Sequence, residues 1–368
     1  PTPGRASGSR VPTGRGTMDT YDGARQRAPA DPPGRAAMKD TIAEAMVREA
    51  SLAPSLYNAQ PWRFAYSRSG REFSLRADRE RGLPHMDPDA RELHMGCGAA
   101  LFNLRVAAVA RGLRPEVSLL PHPEDPDLLA RVRLTSGESP VNGRESEGIP
   151  GDLHPALFER HTSRYPFWDT DIPQDARTLL RTEAAAEGAA LVFADAPERD
   201  LVLRLSALAE HRNAADPGRR EELLRWTRPR TSVTGTEADG IPDYAFGPRP
   251  TAGGAPLRDY AAGRVTAPLG TTGFEENPRL AFLTTPEDTP LHWLRAGQAM
   301  ERVLLRATRE GLSALPVTHP LEWPDLRREI TDSLPGNGTV QMVLRLGHGP
   351  LGPVTPRRRI EEVLDITG

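Results

Sequence analysis

Two short stretches of the sequence carry residue types that suit a charged ligand. "SLAPSLYNAQPWRF", residues 51–64, combines prolines with small and polar residues, and such a loop fixes backbone groups as a ligand site requires. "RHTSRYPF", residues 160–167, places Arg160 and Arg164 on either side of two hydroxyl groups. Arginine suits a phosphate, and short hydroxyls suit the polar edge of a heterocycle. Taken alone, the second stretch is also typical of a solvated turn, because Lys39 is the only lysine and nearly every cation is arginine.

The composition limits the classes of protein to which the chain can belong. Its 368 residues are 38% hydrophobic and 26% charged, enough for a sizeable core in one large domain or two. The formal net charge of -3 provides no field that would recruit nucleic acid or an anionic membrane. No apolar run approaches the roughly 20 residues of a membrane span. We therefore expect neither nucleic acid nor a membrane as a partner.

Cysteine and histidine usage argues against a metal site. Cys97 is the single cysteine, so neither an intrachain disulfide nor a thiolate cluster can form, and we expect it to be a buried hydrophobic residue. None of the 9 histidines falls into a tight metal-ligand spacing, and no metal is predicted. No signal segment opens the sequence, so the expectation is a cytoplasmic protein.

Hydrophobic periodicity divides the chain into regions of different order. Residues 1–37 are rich in Pro, Gly and Arg, which predicts a disordered extension. Helical spacing begins near Met38, and "PWRFAYSR" and "EFSLRAD" then alternate like a pair of strands. Residues 227–277 show little periodicity, which indicates a lid, a binding loop or disorder.

A weak internal repeat indicates a duplication. "GAALFNLRVAAVARGL", residues 98–113, aligns without gaps to "GQAMERVLLRATREGL", residues 297–312. Both predict a helix that ends at a glycine, followed by a strand. Two alanine-rich helices of similar composition are the alternative. We interpret the repeat as two fused copies that pack as a pseudo-dimer, with halves at 38–150 and 151–368 and the boundary in the polar run 136–152.

Considered together, the two stretches resemble the nitroreductase superfamily of FMN-dependent oxidoreductases, in particular its two-domain Acg-type branch. In that family an Arg-Arg/His-Ser-x-Arg/Lys segment holds the flavin phosphate and the pyrimidine edge. A Pro-Ser-x-x-Asn-x-Gln-Pro-Trp loop from the other subunit covers the same flavin. Here the two motifs lie in opposite order in one chain. The resemblance implies an α+β, nitroreductase-like fold of two fused, degenerate halves, with one FMN at the internal interface.

The resemblance also implies a set of cofactor-binding residues. The segment "GLSALPVTHP" is similar to the one that faces flavin N5, and "VTPRRR" to the one whose arginine reaches the phosphate. Many single-domain members have Glu-Gly after a Pro-Ile pair within the first of these segments, where this chain has Val317, Thr318 and His319, and His319 is a weak candidate proton donor. The implied cofactor-binding residues are Pro54, Ser55, Leu56, Asn58, Arg160, His161, Thr162, Arg164, Pro316, Val317, Thr318 and either Arg357 or Arg358.

Three functions are compatible with this reading. The first is an FMN-dependent oxidoreductase that takes hydride from NADH or NADPH and reduces a small-molecule acceptor such as a nitroaromatic, a quinone or an enone. The alternative is a flavin-sequestering or sensing protein with a lidded site and little turnover. The third is a pseudo-enzyme without flavin that acts through protein contacts. An intrachain pseudo-dimer is compatible with a monomer or a homodimer.

Overall fold

The computed structural model of the protein describes residues 38–136, 148–228, 238–262, 264 and 270–368. The predicted extension over residues 1–37 lies outside the described residues, as do most of the predicted boundary and parts of the segment 227–277. No helix in the described ranges is long and apolar enough to cross a membrane. The helices of these ranges are α1 (Asp40–Ala50), α2 (Arg91–Val109), α3 (Ala156–Glu159), α4 (Gln174–Ala186), α5 (Ala196–Ala215), α6 (Pro217–Arg225), α7 (Pro290–Arg309), α8 (Pro324–Asp332) and α9 (Ile360–Val363).

The strands form two main sheets and two short strand pairs. The first sheet has the order β13-β1-β2-β4-β3 and the second has the order β11-β12-β10-β5. Together with the helices, these sheets confirm the α+β class. The strands are β1 (Trp62–Ser67), β2 (Glu72–Ala77), β3 (Leu113–Leu119), β4 (Leu128–Ser136), β5 (Ala190–Phe193), β6 (Thr227–Arg228), β7 (Ile241–Pro242), β8 (Arg249–Ala252), β9 (Thr271–Gly273), β10 (Arg279–Thr285), β11 (Ser313–Val317), β12 (Thr339–Gly347) and β13 (Leu364–Thr367).

The two predicted strands after α1 form the expected hairpin. Strands β1 and β2 pair antiparallel, with Phe64 opposite Leu75 and Tyr66 opposite Phe73. Phe64, Leu75, Tyr66 and Phe73 are all buried, because alternate residues of a strand face the same side of its sheet. The prediction from alternation is therefore confirmed.

Helices α2 and α7 pack against each other at the centre of the molecule, and glycines allow their close approach. A Cβ atom on Gly297 would overlap the carbonyl oxygen of Met95, and one on Gly98 would overlap that of Leu294. Gly98 and Gly297 are aligned in the repeat, so equivalent positions of the two copies meet at the helix crossing. This reciprocal contact is the mark of a twofold-like interface, and it confirms the intrachain pseudo-dimer.

The end of the chain crosses from one half to the other. Strand β13 pairs in parallel with β1 of the first sheet and places Leu364 opposite Phe64, although the strand that precedes it in the chain, β12, belongs to the second sheet. The sequence analysis did not predict this exchange. As a result, residues 356–358 of the tail contact the loop formed by residues 51–60.

The segment 227–277 is more ordered in its described parts than the sequence indicated. It contributes the parallel pairs β6–β7 and β8–β9. Trp226 and Ile241 pack in a small hydrophobic cluster with Tyr57 of the first loop. The segment therefore lies against the loop that the sequence analysis singled out.

Candidate functional site

The loop of residues 51–64 has an unusual backbone. Tyr57, Asn58 and Gln60 have φ angles of 51°, 55° and 53°. A left-handed conformation costs a residue with a Cβ atom about 1 to 2 kcal/mol, and such residues concentrate at functional sites. The hydroxyl of Ser55 accepts a hydrogen bond from the backbone N–H of Gln60 at 2.9 Å, which closes the turn. The loop is thus held in one strained shape.

Asn58 joins this loop to two distant parts of the chain. Its Nδ2 donates to the carbonyl oxygens of Gly240 at 3.0 Å and Pro356 at 3.1 Å. Its Oδ1 accepts a hydrogen bond from Nη1 of Arg357 at 3.2 Å. Asn58 is therefore a connecting residue between the loop, the segment 227–277 and the C-terminal tail.

The stretch of residues 160–164 is fixed against the edge of the second sheet. Thr162 forms an isolated parallel bridge with Ala314 of β11, and the N–H of Ser163 donates to the carbonyl oxygen of Ala314 at 2.9 Å. The hydroxyl of Ser163 donates to the carbonyl oxygen of Pro350 at 2.7 Å. Because β11 is an edge strand, its outer side is available to this segment and to the cavity beside it.

These elements enclose a cavity that we call the interface cavity. Its volume is about 60 Å³. Of the residues implied by the resemblance, it is lined by Pro54, Ser55, Leu56, Thr162, Arg164, Pro316 and Thr318. The first half thus contributes the loop, and the second half contributes the hydroxyl, the guanidinium and the edge strand.

Two of the implied cations converge on one carbonyl group beside the cavity. Arg160 and Arg357 both donate to the carbonyl oxygen of Leu52, each at 2.9 Å. Burial, and secondarily the charge of Arg160, lowers the pKa of Arg357 to about 9. Burial and both arginines also lower the pKa of His161. The positive charges are therefore held close together at an energetic cost, which an anion would offset.

The opposing negative charge is a buried carboxylate. Glu301 of α7 is fully buried, and its Oε1 lies 3.4 Å from Nε of Arg160. Burial raises the pKa of Glu301. Two guanidinium groups face this one carboxylate, so the cluster retains positive charge. Guanidinium groups suit a phosphate, and Arg357 would exchange its hydrogen bonds to the carbonyl oxygens of Ser51 and Leu52 to bind one.

The two tail arginines have different roles. The backbone N–H of Arg358 donates to Oε1 of Gln60 at 2.8 Å, and its side chain contacts Asp78 and the carbonyl oxygen of Trp62. It lies on the other side of the tail from the arginine pair. Of the two alternatives, only Arg357 joins Arg160.

Some of the candidate residues do not line the interface cavity, namely Asn58, Arg160, His161, Val317, His319, Arg357 and Arg358. Val317 is buried in β11 opposite Val343, and it is absent from the cavity lining. His319 is 2% exposed, and its Nε2 has no hydrogen-bond partner in the described part of the chain. Burial and the charge of Arg258 hold the pKa of His319 well below its ordinary value, so it is neutral. Arg164 reaches outward to the carbonyl oxygen of Ala245 at 2.9 Å.

Sequence reasoning missed several residues of the cavity wall. Helix α2 contributes Glu92, Met95 and Gly96, whose spacing on one helix face could have identified them. A Cβ atom on Gly96 would lie 3.2 Å from Cβ of Ser55, so glycine allows the loop to approach the helix. The other missed residues that line the cavity are Tyr57, Tyr260, Met300 and Met342.

Tyr260 lines the cavity and packs against neighbouring side chains. The guanidinium of Arg164 lies 4.7 Å from the ring centroid of Tyr260, and Tyr57 meets the same ring edge-on at 6.0 Å. Phe246 stacks on it at 5.7 Å. Ligand pockets usually hold roughly 300 to 1,000 Å³, which is far more than this cavity offers. The polar groups thus fit a phosphorylated heterocycle, but such a ligand needs the ring of Tyr260 to move.

Comparisons with known proteins identify relatives in Mycobacterium tuberculosis. No protein-family model matches the chain. A "Putative NAD(P)H nitroreductase" of strain H37Rv is 31% identical over 318 residues, which cover 85% of this chain and 88% of the relative. The "Putative NAD(P)H nitroreductase acg" of the same strain is 30% identical over 330 residues, covering 88% of this chain and 96% of the relative.

Solved structures are more distant. The "Crystal Structure of the Nitroreductase-like Family Protein from Bacillus cereus" is 15% identical with a TM-score of 0.36, and it covers 58% of this chain and 95% of that one. The "Crystal structure of FMN and NADPH-dependent nitroreductase NfnB from sphigopyxis sp. strain HMH" is 16% identical with a TM-score of 0.35. It covers 59% of this chain and 99% of that one. From the sequence relatives, which match over most of both chains, we conclude that this chain belongs to the nitroreductase superfamily, in its Acg-type branch.

Proposed function

We propose that the protein is an FMN-dependent oxidoreductase that uses NADH or NADPH to reduce a small acceptor, such as a nitroaromatic, a quinone or an enone. The observation that carries the proposal is the pairing of Arg160 and Arg357 beside the interface cavity, where their charges lack a full counter-charge. The names of the relatives, NAD(P)H nitroreductases, supply the reaction class. Arg160 and Arg357 would hold FMN, and the bound flavin would supply the hydride-transfer chemistry of the reaction.

Different residues of the chain would then bind and orient the different parts of FMN. Arg160 and Arg357 would hold the phosphate by charge-assisted hydrogen bonds, each contributing about 1.5 to 3 kcal/mol. His161 and Thr162 would face the polar edge of the ring system. Ser55, with the loop that Asn58 ties in place, would cover the opposite side.

The alternative of a flavin-sequestering or sensing protein has one structural argument, the ring of Tyr260 across the cavity. It is the weaker proposal because the relatives are named for an NAD(P)H-dependent reaction. A lid also serves an oxidoreductase, since excluding water protects a reduced cofactor. We further propose a cytoplasmic protein that functions as a monomer or a homodimer.

The absorption spectrum of the purified protein tests this function. We expect a bound-flavin spectrum, directly or after adding FMN, that bleaches within seconds when NADPH or NADH is added under anaerobic conditions. The faster of the two donors identifies the nicotinamide preference. A flavin spectrum that resists both donors would favour sequestration, and failure to take up FMN would contradict both functions.

A further inference from the structure

Glu92 occupies a position that the functional account has not used. It lines the interface cavity, and among the described residues of that lining it is the only carboxylate. It also lines a second cavity of about 360 Å³, which we call the outer cavity. The rim of the outer cavity includes the exposed residues Asp89 and Arg328, so this cavity reaches the surface. Glu92 therefore lies between the proposed cofactor site and a solvent-facing space.

The backbone holds Glu92 in this position. The carboxylate of Asp87 accepts hydrogen bonds from the N–H groups of Glu92 at 3.0 Å and Leu93 at 2.8 Å, which fixes the first turn of α2. Arg91 donates to both the carboxylate of Glu92 and the carbonyl oxygen of Gln341 in β12. Glu92 is only 5% exposed. Its carboxyl group thus has a defined place in a largely dry environment.

Charged groups of both signs surround Glu92. Arg91 and Arg327 favour its ionised form, whereas Asp87 and Glu322 oppose it. Burial is the largest influence, and together these effects raise its pKa to about 7. A carboxyl group in this range can both release and regain a proton at neutral pH, as a general acid requires.

Other proton-bearing groups near the cavity are less suited to this task. His319 is neutral and does not line the cavity. Tyr57 does line it, but its hydroxyl contacts Arg258, and burial raises its pKa well above the ordinary value. Neither side chain exchanges a proton near pH 7.

We propose that Glu92 is the proton donor for acceptor reduction, and that the outer cavity is the route by which it is reprotonated. This proposal rests on the proposed function. Reduction of a quinone consumes NAD(P)H and one proton and yields NAD(P)⁺ and the hydroquinone. The hydride carries both electrons and one hydrogen, and the second hydrogen is the proton that the carboxyl group of Glu92 releases to the acceptor oxygen. The carboxylate then takes a proton from water in the outer cavity.

The test compares Glu92→Gln with Glu80→Gln, a matched control at an exposed position outside the interface cavity. Each protein reduces menadione, which takes up protons, and ferricyanide, which takes electrons alone. We expect the ratio of menadione to ferricyanide rate to fall at least about tenfold in Glu92→Gln and to stay constant in the control. In the wild type, the menadione rate should decline as the pH rises through 7, because a donor must be protonated. Glu92→Gln should lack this inflection.

A second readout does not depend on bound flavin. Carbon-13 NMR of glutamate-labelled, flavin-free protein should show one carboxyl that titrates near pH 7 and disappears in Glu92→Gln. A carboxyl of Glu92 that titrates near 4.5, or an unchanged rate ratio in a variant that reduces both acceptors, would overturn the proposal. If the wild type reduces neither acceptor, both the proposed function and this proposal are wrong. Glu92→Asp, which keeps the carboxyl, should restore part of the rate ratio if Glu92→Gln acts through proton transfer.

Discussion

The two central helices are alike where they touch each other and different where a ligand would lie. Their aligned glycines, Gly98 and Gly297, make equivalent close contacts at the crossing of α2 and α7. Extended toward the N-termini of the two helices, the same register pairs Glu92 with Leu291 and Gly96 with Arg295. The duplication therefore kept the packing surface of both copies. The cavity residues Glu92 and Gly96, by contrast, have no like residue at the matching position of the other copy.

From this difference we expect a single site of this kind in the described part of the chain. Gly96 lets the loop of Ser55 approach α2, and an arginine at the matching position of α7 cannot offer that space. The arginine-rich stretch that contains Arg160 occurs in the second half alone. Each half thus supplies parts that the other lacks. A pseudo-dimer can specialise in this way because its two halves are not constrained to have the same sequence, unlike the two subunits of a homodimer.

The largest expected effect concerns the surface through which α2 and α7 pack against each other. Gly297→Ala should destabilise the protein by roughly 3 kcal/mol or more, because its Cβ atom would overlap the backbone of Met95. Gly311→Ala is the matched control. Gly311 has a φ of 72° but no atom within 4 Å of its Cβ position, so backbone strain alone should cost about 1 to 2 kcal/mol. Urea unfolding measures both values, and equal costs would contradict the close helix contact.

The next effect concerns the part that the second half supplies. Arg357→Ala should weaken FMN binding about 10- to 100-fold, because one charge-assisted contact to the phosphate is lost. Arg358→Ala should leave the affinity within about threefold by the same reasoning, since its contacts are with Gln60 and Asp78. Fluorescence titration of FMN compares the variants after circular dichroism has verified their folding. Equal losses in both variants would show that the tail matters only as structure.

A smaller effect is expected at Tyr260 in the cavity wall. Tyr260→Ala removes ring contacts with Tyr57 and Arg164, and such contacts contribute about 0.5 to 1.5 kcal/mol each. FMN association and dissociation, measured by stopped flow, should both accelerate by about 3- to 10-fold. Tyr260→Phe keeps the ring and should behave like the wild type. If the alanine variant leaves both rates unchanged, Tyr260 does not gate the cavity.

The smallest effect is a pH dependence at His161. In the free protein, burial and the charges of Arg160 and Arg357 lower its pKa, so it is neutral at pH 7. A bound phosphate would raise that pKa, and the complex would then hold more protons than the free protein. FMN affinity should consequently gain a few-fold as the pH falls from 7 toward 6, relative to His161→Gln at the same pH values. Parallel affinity curves for the two proteins would show that a phosphate bound at the neighbouring Arg160 and Arg357 does not change the pKa of His161.

Local patterns in the sequence predict much of the fold. The alternation in β1 and β2 and the glycines that end α2 and α7 are local signals, and the structure has them at the predicted places. Gly112 and Gly311 have φ angles of 69° and 72°, as a helix-ending glycine requires. Strand β13 is different. Its four residues carry little pattern, and its partner β1 lies about 300 positions away in the chain, so no local rule identifies the pairing.

The site shows the same limit. The composition of the loop around Asn58 was sufficient to single it out. By contrast, the sequence could not choose between Arg357 and Arg358, because adjacent residues of an extended chain point to opposite sides and only the course of the tail decides which of them joins Arg160. Tyr260 lies in a segment without periodicity. Glu92 was not predicted because its relevance to the proposal lies in lining two cavities, and these exist only in the folded chain.

Stoichiometric titration of the flavin-free protein with FMN tests the central claim most directly. The account predicts one FMN per chain, with the endpoint lost when Arg160 and Arg357 are both replaced by alanine. Two FMN per chain would contradict the divergence of the two halves. One FMN that still binds with wild-type affinity to the folded double variant would place the flavin outside the interface cavity.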